Sequence, residues 1–121
     1  ACYYNKKLKS AGLNSTPLIS PENKSVYAQY TIQINNRSDF QRKLQTFRIP
    51  TAVHYPTILP LQPALNSMDN PEEIKSELKN AYYASQKVLS LPFHPWIKFN
   101  EIDYIVNSIK SVICKKKDFI I

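Results

Sequence analysis

A chain of 121 residues, 43% hydrophobic, with a formal net charge of +7 and one glycine, can bury roughly two-thirds of its unfolded surface as one domain, but lacks the glycines of a P-loop or a GxGxxG turn. Its histidines, His54 and His94, and its cysteines, Cys2 and Cys114 near opposite ends, have no zinc-ligand spacing, and the thiols read as free in a cytoplasmic protein. No apolar run reaches the roughly 18 residues of a membrane span, and the lysines are spread from Lys6, Lys7 and Lys9 through Lys75, Lys79 and Lys87 to Lys115, Lys116 and Lys117, a solvated basic surface rather than a nucleic-acid footprint.

Along the chain, Tyr3, Tyr4 and Leu8 among lysines predict the last turns of a helix closed by Gly12. A helix that starts so abruptly suggests chain upstream. Residues 13–25, with Pro17 and Pro21, read as loop. VYAQYTIQI, from Val26 to Ile34, is the clearest strand, with Tyr30, Ile32 and Ile34 on one face. Ser38 and Gln41 have capping-box spacing, and Phe40, Leu44 and Phe47 share a helical face that ends before Pro50. Thr51 to His54 predict a short strand. In TAVHYPTILPLQP the prolines Pro56, Pro60 and Pro63 cannot donate to a ladder, so this strand stops near Tyr55 and a stiff, extended loop follows. Asn70, Pro71, Glu72 and Glu73 start a second helix with Ile74, Leu78, Ala81 and Ser85 inward. Val88 to Leu91 is a strand ended by Pro92. Asn100 caps a last helix whose apolar stripe is Ile102, Ile105, Val106, Ile109, Val112 and Ile113. The order predicts an α+β two-layer sandwich, a small antiparallel sheet of about three strands with helices on one face.

His54 and Tyr55 stand at the root of the proline loop, where a rigid scaffold commonly places binding groups. The residues alone leave His54 open between a satisfied structural role and a functional one. Glu72 and Glu73 read as helix-start charge, and His94, beside Trp96 and between Pro92 and Pro95, as part of a surface turn.

The ordered string VYAQYTIQI, RSDFQRKLQTFRIPTAVHYP, LQPAL and VLSLPFHPWI, followed by an apolar helix, resembles the C-terminal small domain of the DegT/StrS family of sugar-nucleotide aminotransferases from about Val26 to Ile113. Within the family it is most similar to the branch that aminates a 3-oxo UDP-N-acetylglucuronic acid. The resemblance implies the small domain of the pyridoxal-phosphate fold type I. Residues 1–25 would be the end of a linking helix and a loop, and residues 26–121 the small domain, with the large domain that carries the catalytic lysine absent. It implies pyridoxal phosphate in full-length members, none bound by this chain alone, and no amino transfer by this chain alone. The implied partners are a UDP-sugar and a second subunit of a homodimer, with glutamate as amino donor, in surface-polysaccharide synthesis such as that of O-antigen. Neither a nucleic acid nor a membrane is implied.

In the family the HYP stretch approaches the active site, so the resemblance assigns His54 and Tyr55 to the sugar nucleotide, with Gln62 in the same loop as a further candidate. An imidazole and a phenol can meet sugar hydroxyls or a uronate, and prolines leave the loop little entropy to lose. Arg48 departs from the glycine most members carry there, Tyr82 from a common glutamate, and a histidine common near Pro60 is missing. A free-standing small domain acting as a binding or interaction module is the alternative reading. An uncovered apolar patch would then favour self-association.

Overall fold

The computed structural model describes residues 1–65, 70–115 and 119–120, so Lys116 and Lys117 of the terminal lysine cluster lie outside the described residues. The elements in chain order are α1 (Cys2–Ser10), β1 (Tyr30–Gln33), α2 (Arg37–Thr46), α3 (Pro71–Glu77), α4 (Lys79–Lys87), β2 (Val88–Leu91) and α5 (Phe99–Lys115), with a 3-10 turn at Leu59–Leu61.

The apolar stripe of α5 is the centre of the core: Ile102, Ile105, Val106, Ile109, Val112 and Ile113 are all buried. Against it pack Phe40 and Leu44 from α2, Leu89 and Leu91 from β2, and Tyr30, Ile32 and Ile34 from the β1 segment. The alternation expected of strands puts these last residues on one face and Thr31 and Gln33 on the other. Residues 1–25 are more than a connection, because Tyr4, Leu8 and Leu13 are fully buried in the same core. The Tyr4 and Tyr30 rings stack at 4.7 Å. The Tyr4 hydroxyl donates to the Pro92 carbonyl at 3.0 Å and that of Tyr30 to Asn5 Oδ1, so neither buried phenol is without a partner. Lys7 and the Tyr3 hydroxyl both reach Asp103 of α5, and the Lys7 ammonium, followed by Tyr3, holds that carboxyl below its ordinary value.

The sheet is antiparallel, with Tyr30 opposite Leu91 and Ile32 opposite Leu89. Two corrections concern its extent. The strand expected over Val26 to Ile34 pairs only from Tyr30 to Gln33, because its partner β2 has four residues before Pro92 and Tyr27 leaves extended geometry at φ +47°. The third strand, expected over Thr51 to His54, is a single bridge between Ala52 and Ser90, hemmed in by Pro50 and Pro56, which have no N–H to extend a ladder.

The helix ends show which local signals held. Gly12, at φ +87°, closes α1: its N–H donates to Lys9 and that of Leu13 to Leu8, both at 3.0 Å, the paired bonds of a Schellman turn. Asn70 Oδ1 accepts from the Glu72 N–H at 3.1 Å ahead of Pro71, as expected. The capping box at Ser38 does not form. Helix α2 begins at Arg37 after a left-handed Asn36, which leaves Ser38 inside the first turn, and Gln41 donates instead to the Thr51 carbonyl at 3.3 Å. Helix α5 starts one residue before Asn100, and Glu101 Oε2 accepts from the Lys98 N–H at 2.7 Å, so Lys98 and Glu101 take the capping roles. The helix expected after Pro71 is divided at Leu78, whose ψ of +34° departs from helical geometry. Ile74 and Ser85 are buried, but Leu78 and Ala81 are exposed.

Helix α2 closes with a second Schellman turn, in which Arg48 donates to Gln45 at 2.9 Å and Ile49 to Leu44 at 3.2 Å. Here the left-handed residue is Arg48, at φ +56°, where Cβ crowds the following carbonyl. Arg48→Gly relieves that crowding but frees the unfolded chain, so a net stabilisation of about 0.5–1 kcal/mol is expected. It would appear as a raised urea midpoint at unchanged slope, and an unchanged midpoint would mean that the arginine side chain compensates for its backbone.

Candidate functional site

The bridge that replaces the third strand is what places the site. Ala52 N–H donates to Ser90 at 3.1 Å and Ser90 N–H to Ala52 at 2.8 Å, which pins the chain two residues ahead of His54 against the edge of β2. Since the Ser90 backbone is spent on Ala52, its pair with Thr31 on the other side is of the non-hydrogen-bonded kind, in which facing side chains come closest. Thr31 Oγ1 and Ser90 Oγ are 2.9 Å apart, and His54 Nδ1 lies 3.2 Å from the same Ser90 oxygen. Ser90 is 6% exposed. The three side chains therefore form a short polar chain on the sheet face opposite the α5 stripe.

The His54–Tyr55 peptide is cis, and the two rings meet edge to face at 5.7 Å. Tyr55 is 71% exposed. Beyond it, the loop turns back through Leu61 N–H to Ile58 and Gln62 N–H to Leu59, both at 3.0 Å, and Gln62 Nε2 donates to the Thr57 carbonyl at 3.3 Å. Gln62 thus braces the loop from within.

His54 separates two concavities. One, of about 450 Å³, is walled by Tyr55, Ile58, Leu59, Leu78 and Ala81, so exposed Leu78 and Ala81 line it. The other, of about 300 Å³, is lined by Gln29, Thr51, Ser90 and Phe93. Among the described residues, His54 is the side chain common to both. Of the three candidates, the structure brings His54 and Tyr55 together in the larger concavity and leaves Gln62 outside both linings. His94 and Trp96 are on an exposed turn. Ser90 and Thr31 escaped the sequence reading. The available signal was a lone hydroxyl inside the apolar run VLSL, since a buried serine needs a partner.

Neither lining includes a lysine, arginine, aspartate or glutamate among the described residues, and no group of three or more potential metal ligands occurs among them. No helix of the described residues is long and apolar enough to cross a membrane. Such a site can offer neutral donors and acceptors beside apolar walls, which suits a sugar or a base.

The model of the DegT/DnrJ/EryC1/StrS aminotransferase family matches residues 1–110. The chain is 40% identical over 105 residues to the UDP-2-acetamido-2-deoxy-3-oxo-D-glucuronate aminotransferase of Pseudomonas aeruginosa, covering 87% of this chain and 27% of that protein. It is 37% identical over 84 residues to the pleiotropic regulatory protein of Geobacillus stearothermophilus, covering 69% of this chain and 22% of that one. Among solved structures, that of S. venezuelae DesV in complex with a ketimine intermediate superposes with a TM-score of 0.80 at 26% identity, over 92% of this chain and 29% of that chain. The chain spans only 27% and 22% of the lengths of these two curated relatives.

Proposed function

The chain belongs to the DegT/DnrJ/EryC1/StrS aminotransferase family, and on that premise we propose that it is the substrate-facing small domain of a sugar-nucleotide aminotransferase that uses a 3-oxo UDP-uronate. Residues 26–121 are that domain, and residues 1–25 are a linking helix and loop packed onto it. The observation that carries the reading is the position of His54 between two concavities with Tyr55 at the rim, in a chain 40% identical to a relative named for that substrate. His54 and Tyr55 hold the sugar nucleotide by hydrogen bonds, and Gln62 supports them by bracing the loop.

Pyridoxal phosphate supplies the electron sink for amino transfer when it is bound, and it requires a lysine amine and a cradle for its phosphate. The two concavities do not fit it, since neither is lined by a lysine or arginine among the described residues. The cofactor therefore belongs to a part of the enzyme other than this site. The chain's own residues bind and orient the sugar, and in the assembled homodimer they close over it.

The test is a chimera in which this chain replaces the matching stretch of the P. aeruginosa relative. The chimera is expected to aminate the 3-oxo UDP-uronate, while the 121-residue chain with glutamate and pyridoxal phosphate does not. Amino transfer by the chain alone would overturn the reading. A second reading, a binding module without catalysis, is favoured by the relative named as a pleiotropic regulatory protein. It requires saturable binding of a UDP-sugar or a protein partner by this chain alone, and an inactive but cofactor-loaded chimera.

A further inference from the structure

Resting on the reading of His54 as a sugar-nucleotide contact, we infer that Ser90 and Thr31 are positioning residues that fix His54 in one tautomer. They hold its Nε2 as a hydrogen-bond donor, so the site offers a ligand oxygen a donor that a carboxylate meets most strongly.

Ser90 Oγ has two partners, Thr31 Oγ1 at 2.9 Å and His54 Nδ1 at 3.2 Å, and a hydroxyl donates once. In one direction Thr31 donates to Ser90, Ser90 donates to Nδ1, and the ring proton resides on Nε2. Both hydroxyl protons then have acceptors. In the other direction the ring donates to Ser90 and Ser90 to Thr31, which leaves the Thr31 hydroxyl proton with no acceptor among the described residues. Ser90 is 6% exposed and Thr31 half-buried, so the second direction sends the Thr31 proton to solvent while the first satisfies both hydroxyl protons within the protein. The first direction is therefore assigned. Nε2 has no protein partner among the described residues and belongs to the side chain common to both concavities. A carboxylate, ketone or hydroxyl oxygen accepts from Nε2–H, the carboxylate most strongly, whereas a ring lone pair on Nε2 would accept from a hydroxyl alone.

The ¹⁵N shifts of the two ring nitrogens in the histidine-labelled 121-residue chain report which nitrogen carries the proton. Exposed His94 is an internal reference for an unconstrained ring. In mildly alkaline buffer His54 is expected wholly as the Nε2–H form, more one-sided than His94. Ser90→Ala should relax it to the His94 mixture, and Ser90→Thr, which keeps the hydroxyl, should restore it. A predominantly Nδ1–H ring in the unaltered chain, or a folded Ser90→Ala variant with an unchanged ratio, would overturn the relay. Should Ser90→Ala not fold, the unaltered chain and Ser90→Thr still decide the direction.

Titration with UDP-2-acetamido-2-deoxy-D-glucuronate provides the second arm. It should shift the Nε2–H signal, and Ser90→Ala should weaken its binding by roughly three- to tenfold. A one-sided tautomer whose signals the UDP-uronate leaves unmoved would sink the sugar-nucleotide reading and the donor role of Nε2 toward a ligand, while the direction of the relay would stand.

Discussion

His54→Ala in the active chimera is expected to lower kcat/KM for the 3-oxo UDP-uronate by roughly tenfold to a hundredfold, with bound pyridoxal phosphate unchanged. The range follows from a hydrogen bond to a charged or strongly polarised oxygen, about 1.5–3 kcal/mol, at 1.36 kcal/mol per decade. The imidazole also lines both concavities, so its removal loosens the sugar's orientation. The cofactor's absorbance distinguishes this loss from a general collapse. An unchanged kcat/KM would remove His54 from the site, and loss of cofactor would move its role from substrate to cofactor. Tyr55→Phe should cost less, since Tyr55 is 71% exposed and a solvated hydroxyl exchanges its partner for water.

Ile109→Ala is expected to destabilise the fold by about 2–5 kcal/mol. Ile109 is fully buried in α5, on the face against which α1, α2 and the sheet all pack, so the gap left by the side chain has no single neighbour free to close it. With a urea slope of about 1–3 kcal/mol per molar, the midpoint should fall by on the order of 1–2 M. Asn107→Ala, on the exposed side of the same helix, should stay within about 0.5 kcal/mol. Equal effects of the two substitutions would mean that α5 is not the centre of the core.

Much of this fold follows from short stretches read locally. The 3.6-residue period of the last helix, the alternation of Tyr30, Ile32 and Ile34, Gly12 after α1 and Asn70 before Pro71 each act within a few residues, and each is observed. The prolines after Tyr55 mark the loop, but pairing stops before them, at the single bridge of Ala52. Ser38 shows the limit of such signals. Its spacing to Gln41 suits a capping box, yet the helix begins at Arg37 after a left-handed Asn36, and Arg37 and Gln41 are spent on the distant carbonyls of Ser85 and Thr51.

By itself, the sequence determined the α+β class, the core faces of β1 and α5 and the family, because periodicity, caps and ordered motifs are properties of neighbouring residues, whereas Leu78 and Ala81 of the expected inner face after Pro71 are exposed. It also marked His54 and Tyr55 as the root of a stiff loop. Only the tertiary structure decided that the third strand is one bridge, that Gln62 is turned inward to Thr57, and that Ser90 and Thr31 stand behind His54. Those facts depend on strand register, which joins residues 36 and 59 positions apart. A shift of one residue would have turned Ser90 into the core and left His54 without its partner.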